Sequence, residues 1–260
     1  KAARGAGATI RTGSRVARIH VDDDAVTGVS LDGGERISAR SVLSAIDPTT
    51  TLVGLLEPGW LDPDTRRDAQ AIRCRATVAT VRYALGAHPD LPVPEARDAR
   101  IQIGASPVAL EQAFDPAKYG EVPTAPTVEL TFQETSAGLV AHGWVQHVAA
   151  EAVADEAGRG AALEAINATI EGSLPGFAAQ VQDTAFSTAV DFGNDLGLRG
   201  GHLYHGELGM DQVLYMRPMP GIYDHSTPVA GLYLGGPGTH PGGGVTGLPG
   251  KLGAERVLAG

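Results

Sequence analysis

Tyr233-Leu234-Gly235-Gly236-Pro237-Gly238-Thr239-His240-Pro241-Gly242-Gly243-Gly244-Val245-Thr246-Gly247 gathers glycines between an apolar run and a helical one. Gly231–Leu234 is short and apolar, as a buried strand is, and Lys251–Ala259 beyond the glycines has helical character. Between them the glycines remove side chains, so backbone can come close to a flat or anionic ligand. The first N–H groups of the helix that follows lack intrahelical partners and carry partial positive charge, which makes that end a ready anion site. Gly242, Gly244 and Gly247 satisfy G-x-G-x-x-G. The dinucleotide fingerprint is rejected, because it needs a βαβ unit with an acidic residue about 20 positions on, and the sequence stops at Gly260. A flexible glycine loop without a ligand is the competing reading; Thr239, His240 and the two prolines favour a shaped loop.

Working outward, the front of the chain has the same style. Ala8–Arg11, Ser14–Val21, Val26–Leu31 and Arg36–Leu43 read as successive strands, with turns at Asp22-Asp23-Asp24 and Asp32-Gly33-Gly34. Thr49–Leu56 reads as a short helix capped by Asp47 or Thr49. From Asp62 the character changes. Strands are expected over Ala76–Leu85, Ile101–Ile103, Thr127–Phe132, Gly138–Val148 and Val181–Val190, with a helix over 149–172 whose face carries Ala161, Leu163, Ile166 and Ile170. Asp191–Gly201 reads as a loop. The pattern implies a discontinuous arrangement: residues 1–60 and 226–260 form one α/β unit, and 61–225 is inserted as a mixed α+β domain.

Composition narrows the function. Lys and Arg total 20 against 30 Asp and Glu, a net charge of −10 that argues against nucleic acid and anionic membrane surfaces. No apolar run approaches the length of a transmembrane helix. Cys74 is the only cysteine, so no internal disulfide forms, and a cytoplasmic setting is expected. The chain opens without Met at Lys1–Gly7, as though part of a domain preceded it; a trimmed chain is the plain alternative.

The glycine stretch resembles the C-terminal flavin-binding motif of phytoene desaturase-like FAD oxidoreductases, within the flavin amine oxidase superfamily. Gly200–Gln212 and Met216-Arg217-Pro218 resemble the approach to that motif in the pyridine nucleotide-disulfide oxidoreductase domain 2-like branch. Gly7–Gly13, with Val16, Ile19, Val26, Gly28, Val29 and Ser44–Pro48, resembles the sheet that cradles the FAD adenosine. The resemblance implies a partial Rossmann-like FAD-binding domain with an inserted mixed-sheet substrate domain. It implies FAD contacts at Val16, Ala45, Asp47, Gly236, Gly238, Thr239, Gly243, Gly244, Val245 and Thr246. It also places Tyr204, His205, Glu207 and Tyr215 along the substrate cavity. The family's phosphate-binding loop has no counterpart in this sequence, so an N-terminal FAD-domain segment or polypeptide is the expected partner. The implied activity is hydride transfer from a C–H bond of a small, largely apolar substrate to flavin N5, in desaturase or oxidase chemistry. A non-catalytic subunit or remnant that completes another chain's FAD domain is the alternative. Hetero- and homo-oligomers both stay open.

Other candidates are weaker. His202, His205 and Glu207 suggest a metal only superficially: His202 and His205 are three apart, would point opposite ways on a strand, and no second cluster completes a set. His240 reads as a loop-shaping residue rather than a general base, and no hydrolytic triad or phosphate-loop lysine appears.

Overall fold

A computed structural model describes residues 1–75, 78–104 and 106–260. The chain divides into two compact units, Lys1–Arg73 with Tyr204–Gly260, and Cys74–Leu203. The sequence placed the joins at 60/61 and 225/226.

The first unit opens with a helical turn, α1 (Ala2–Gly5), and then three strands, β1 (Val16–Asp22), β2 (Ala25–Leu31) and β3 (Arg36–Ser38), in an antiparallel meander. Asp23 and Asp24 take positive φ in the first turn, which short Asp side chains tolerate. Ala8–Arg11, expected as a strand, has no regular structure. The run Arg36–Leu43, expected as one strand, is broken: β4 (Val42–Ser44) leaves the meander for a different sheet. After it Asp47 accepts from the Thr50 N–H at 2.8 Å and starts the π-helical turn Thr50–Gly54. Helix α2 (Pro63–Ala71) is capped by Asp62, which accepts from the Asp64 and Thr65 N–H groups.

The second unit is built on β5 (Val78–Leu85), β6 (Ile101–Ile103), β7 (Val128–Thr135), β8 (Gly138–Gln146) and β9 (Val181–Ser187), all antiparallel in the order β6-β7-β8-β5-β9. Ala76 and Thr77, expected to open the first of these strands, lie outside the described residues. Helix α3 (Pro107–Ala117) precedes β7, and α4 (Glu156–Ser173) and the short α5 (Phe177–Gln180) precede β9. Alternation puts Ala79, Val81, Tyr83 and Leu85 of β5 on one sheet face with Val128, Leu130, Ala141 and Val145. Against that face α4 buries Ala162, Ile166 and Ile170. These are four apart and form one row. Ala161, expected on the buried face, is exposed. The Val181–Val190 strand stops early, at Ser187, because Thr188 and Asp191 form a capping box that starts α6 (Ala189–Leu196) in what was expected to be a loop.

The chain then returns to the first unit through 204–231, which holds turns but no strand until β10 (Leu232–Leu234). β10 pairs in parallel with β4, in the register Leu232 to Val42 and Leu234 to Ser44. Helix α7 (Leu248–Ala259) follows.

Candidate functional site

The loop Gly235–Gly247 joins β10 to α7, and its two arms differ. Gly235, Gly236, Gly238, Thr239 and Gly242 are buried, whereas Gly244, Val245, Thr246 and Gly247 are exposed. In the buried arm the missing side chains decide the packing. A Cβ on Gly236 would run into the Ala45 carbonyl, and one on Gly238 would meet the Pro48 ring at 2.6 Å and His205 Cβ at 3.1 Å. Thr239 is 2% exposed, and its hydroxyl donates to the Gly236 carbonyl at 2.8 Å, so the loop is closed on itself. Its hydroxyl is therefore committed internally. Gly243 faces the Tyr204 ring with no room for a side chain.

The exposed arm has a different character. Val245 sits at φ 59° with its side chain fully in solvent, a sparsely populated conformation for a β-branched residue. Helix α7 begins at Gly247 with no side-chain cap and no acidic residue in its first turn. Thr246 accepts from the Leu248 N–H at 3.2 Å. The result is open backbone leading into the positive end of a 12-residue helix.

Arg217 holds the assembly together. It is 2% exposed, and its guanidinium donates to the carbonyls of Tyr204, Gly206, Glu207, Gln212 and Pro237 at 2.6–3.3 Å. One side chain thereby ties the 204–212 segment to the glycine loop, using the fork geometry only arginine offers. From sequence Arg217 stands only within the Met216-Arg217-Pro218 resemblance, with no role of its own. The available signal was a charge set among Met216, Pro218 and Met219, since an arginine in an apolar run is a candidate for burial.

The structure brings Ala45, Asp47, Gly236, Gly238, Thr239, Gly243, Tyr204 and His205 into one neighbourhood. His205 lies in the left-handed region at φ 56°. Burial pushes its imidazole below the ordinary pKa; Asp47 and the Ile46 carbonyl act against that, and Arg217 adds to it. Its Nδ1 is buried without a hydrogen-bond partner. Tyr215 is exposed in a single turn, Leu214–Met216, whose Leu214 carbonyl lies 3.2 Å from His240 Nδ1. Glu207 is paired with Arg73 at 3.3 Å, and Asp211 takes the other side of the same guanidinium, raising the Arg73 pKa further. Val16 stands on the three-stranded meander, opposite Leu31. His202 and His205 do not stand on a strand, and the Tyr204, Gly206, Glu207 and Gln212 carbonyls are engaged by Arg217. Among the described residues no three metal-binding side chains come together, and no helix is long and apolar enough to cross a membrane.

Residues 2–86 match the family described as flavin containing amine oxidoreductase. Over 97% of its length the chain is 31% identical to pyridine nucleotide-disulfide oxidoreductase domain-containing protein 2 of Rattus norvegicus, and 29% identical to the protein of the same name from Mus musculus. It spans about half of their length, 47% in each. Among solved structures, an oxidoreductase from Methanosarcina mazei matches with a TM-score of 0.57 over 99% of this chain and 51% of that one. At 16% identity this likeness shows the fold alone, a mixed α/β architecture with several sheets. The chain is thus similar along nearly all of its length to the pyridine nucleotide-disulfide oxidoreductase domain-containing protein 2 proteins, and its front, residues 2–86, matches the flavin containing amine oxidoreductase family.

Proposed function

We propose that the chain forms the flavin-ring side of the FAD site of an oxidoreductase. The first unit is then a Rossmann-like part of the FAD-binding domain, and the second is the substrate-binding part. The observation that carries this reading is the two-armed loop between β10 and α7. A parallel strand ends in a buried arm sealed against Ala45 and Pro48, and continues into exposed amides at an uncapped helix start. That is the shape and polarity an electron-rich ring edge or a phosphate requires.

The residues present fit the group. Gly244 has no atom but the Thr246 methyl within 4 Å of a built Cβ, so the arm has space beside it. The orphaned His205 Nδ1 borders the same neighbourhood and is without a protein partner. FAD bound there supplies a hydride acceptor for a C–H bond of an organic substrate. This chain's part is to present the backbone N–H groups of Gly244, Val245 and Thr246, to keep Thr239 and Gly236 as a rigid floor, and to hold the floor in place through Arg217. His205, whose imidazole burial holds below its ordinary pKa, offers a buried Nδ1 that can accept a hydrogen bond, or a proton with the ring then becoming cationic.

The test is FAD uptake by the full chain, with an N-terminal FAD-domain polypeptide supplied, followed by the visible flavin absorption band after gel filtration. Retained colour supports the reading. A colourless protein under those conditions would falsify it.

A further inference from the structure

The two faces of the five-stranded sheet are unlike. One is apolar and covered by α4. On the other, the register aligns Glu129, Trp144, Thr80 and Ser187 in one row, and Thr131, His142, Arg82 and Ala185 in the next. Val140, Ala84 and Asp183 continue that face, with Gln133 beside them. Water alone would account for a polar face on an antiparallel sheet. Two features go further. A tryptophan sits among these polar residues, half-buried. And Arg82, on a strand hydrogen-bonded on both sides, has no hydrogen bond or ion pair among the described residues.

The acids near it do not explain Arg82. Glu129 is paired with Arg100 at 2.9 Å, and Asp183, one row along, makes no ion pair with Arg82. Among the described residues the guanidinium is thus an unpaired cation, carried on a strand held on both sides, in a chain whose net charge is −10. His142 and Thr131 lie beside it in the same row, and Thr80 and Trp144 in the adjacent one. A planar fork with imidazole and hydroxyl groups alongside suits a carboxylate, and Trp144 and Val140 suit an apolar body attached to it.

We propose that this sheet face binds a carboxylate-bearing, otherwise apolar small molecule, with Arg82 receiving the carboxylate and Trp144 the apolar part. Only the naming of that ligand as the substrate rests on the oxidoreductase reading; the binding itself does not. Both Arg82 and His142 are exposed, so substitution at Arg82 leaves the core intact.

The experiment uses the full chain carrying Trp60→Phe, so that Trp144 is the sole tryptophan reporter. Octanoate and octan-1-ol are titrated separately while Trp144 emission is followed, and thermal melts and FAD uptake are recorded on the same samples. Octanoate should give a saturable change, and octan-1-ol should bind at least about tenfold more weakly. Arg82→Gln should weaken octanoate by about tenfold or more with an unchanged melt, and Arg82→Lys should recover only part of the loss. Equal binding of acid and alcohol, wild-type octanoate binding by Arg82→Gln, or no saturable change would each overturn the proposal. Octanoate binding that survives in a chain unable to take up FAD even with the N-terminal FAD-domain polypeptide supplied would sink the flavin reading and leave this one standing.

Discussion

Arg217 and Gly236 show how much single residues decide here. Arg217 satisfies carbonyls from five residues that no strand ladder serves, so its removal strands several buried acceptors at once. Arg217→Met should cost about 3 kcal/mol or more in urea denaturation, since each buried polar group left unpaired costs about 1–3 kcal/mol. Arg217→Lys should not restore it, because an ammonium cannot span the same fork of acceptors. A loss below about 1 kcal/mol for either variant would mean that the loop keeps its shape without the guanidinium. Gly236 was legible in the sequence because glycine density is visible as composition. Arg217 was not, because its role comes from carbonyls dispersed over Tyr204–Pro237 that only the folded chain gathers.

At the scale of elements, what the sequence displayed as periodicity was recovered, and what depended on termini was not. Helix α4 was expected, and Ile166 and Ile170 lie on its buried face with Leu163 packed against the core, but Ala162 rather than Ala161 completes the row. The strand β9 was expected to run into Val190. The capping box Thr188–Asp191 stops it, with the Thr188 N–H donating to Asp191 at 2.7 Å, and that signal was present in the residue types. The row on α4 makes a quantitative claim. Ile166→Ala should destabilise the chain by about 2–5 kcal/mol, whereas the exposed Ala161→Ser should stay within about 0.5 kcal/mol. Comparable losses at the two positions, read from urea midpoints, would place the buried face elsewhere.

For the whole molecule, histidines held below their ordinary pKa shape the acid response. His20, His147 and His205 all lie below the ordinary value of 6.5, in each case with burial as the largest cause. The unfolded chain therefore binds more protons than the folded one as pH falls below about 6.5, so this stability is complete above that pH and is lost below it. The urea midpoint should drop between about pH 7.5 and pH 5.5, and His147→Asn should reduce the drop. A midpoint that rises on acidification would contradict neutral burial. The glycine loop's place between a strand and a helix was readable because it is marked by changes of pattern along the chain. The polar sheet face was not, because its members come from four strands and meet only through register. What ties these scales together is the loop Gly235–Gly247, whose exposed arm is assigned to flavin. Hydrogen exchange of the full chain, with and without FAD and with the N-terminal FAD-domain polypeptide present, tests that assignment most directly. The account predicts slowed exchange in peptides covering Gly242–Lys251 when FAD is added; unchanged exchange there while FAD is retained would contradict it.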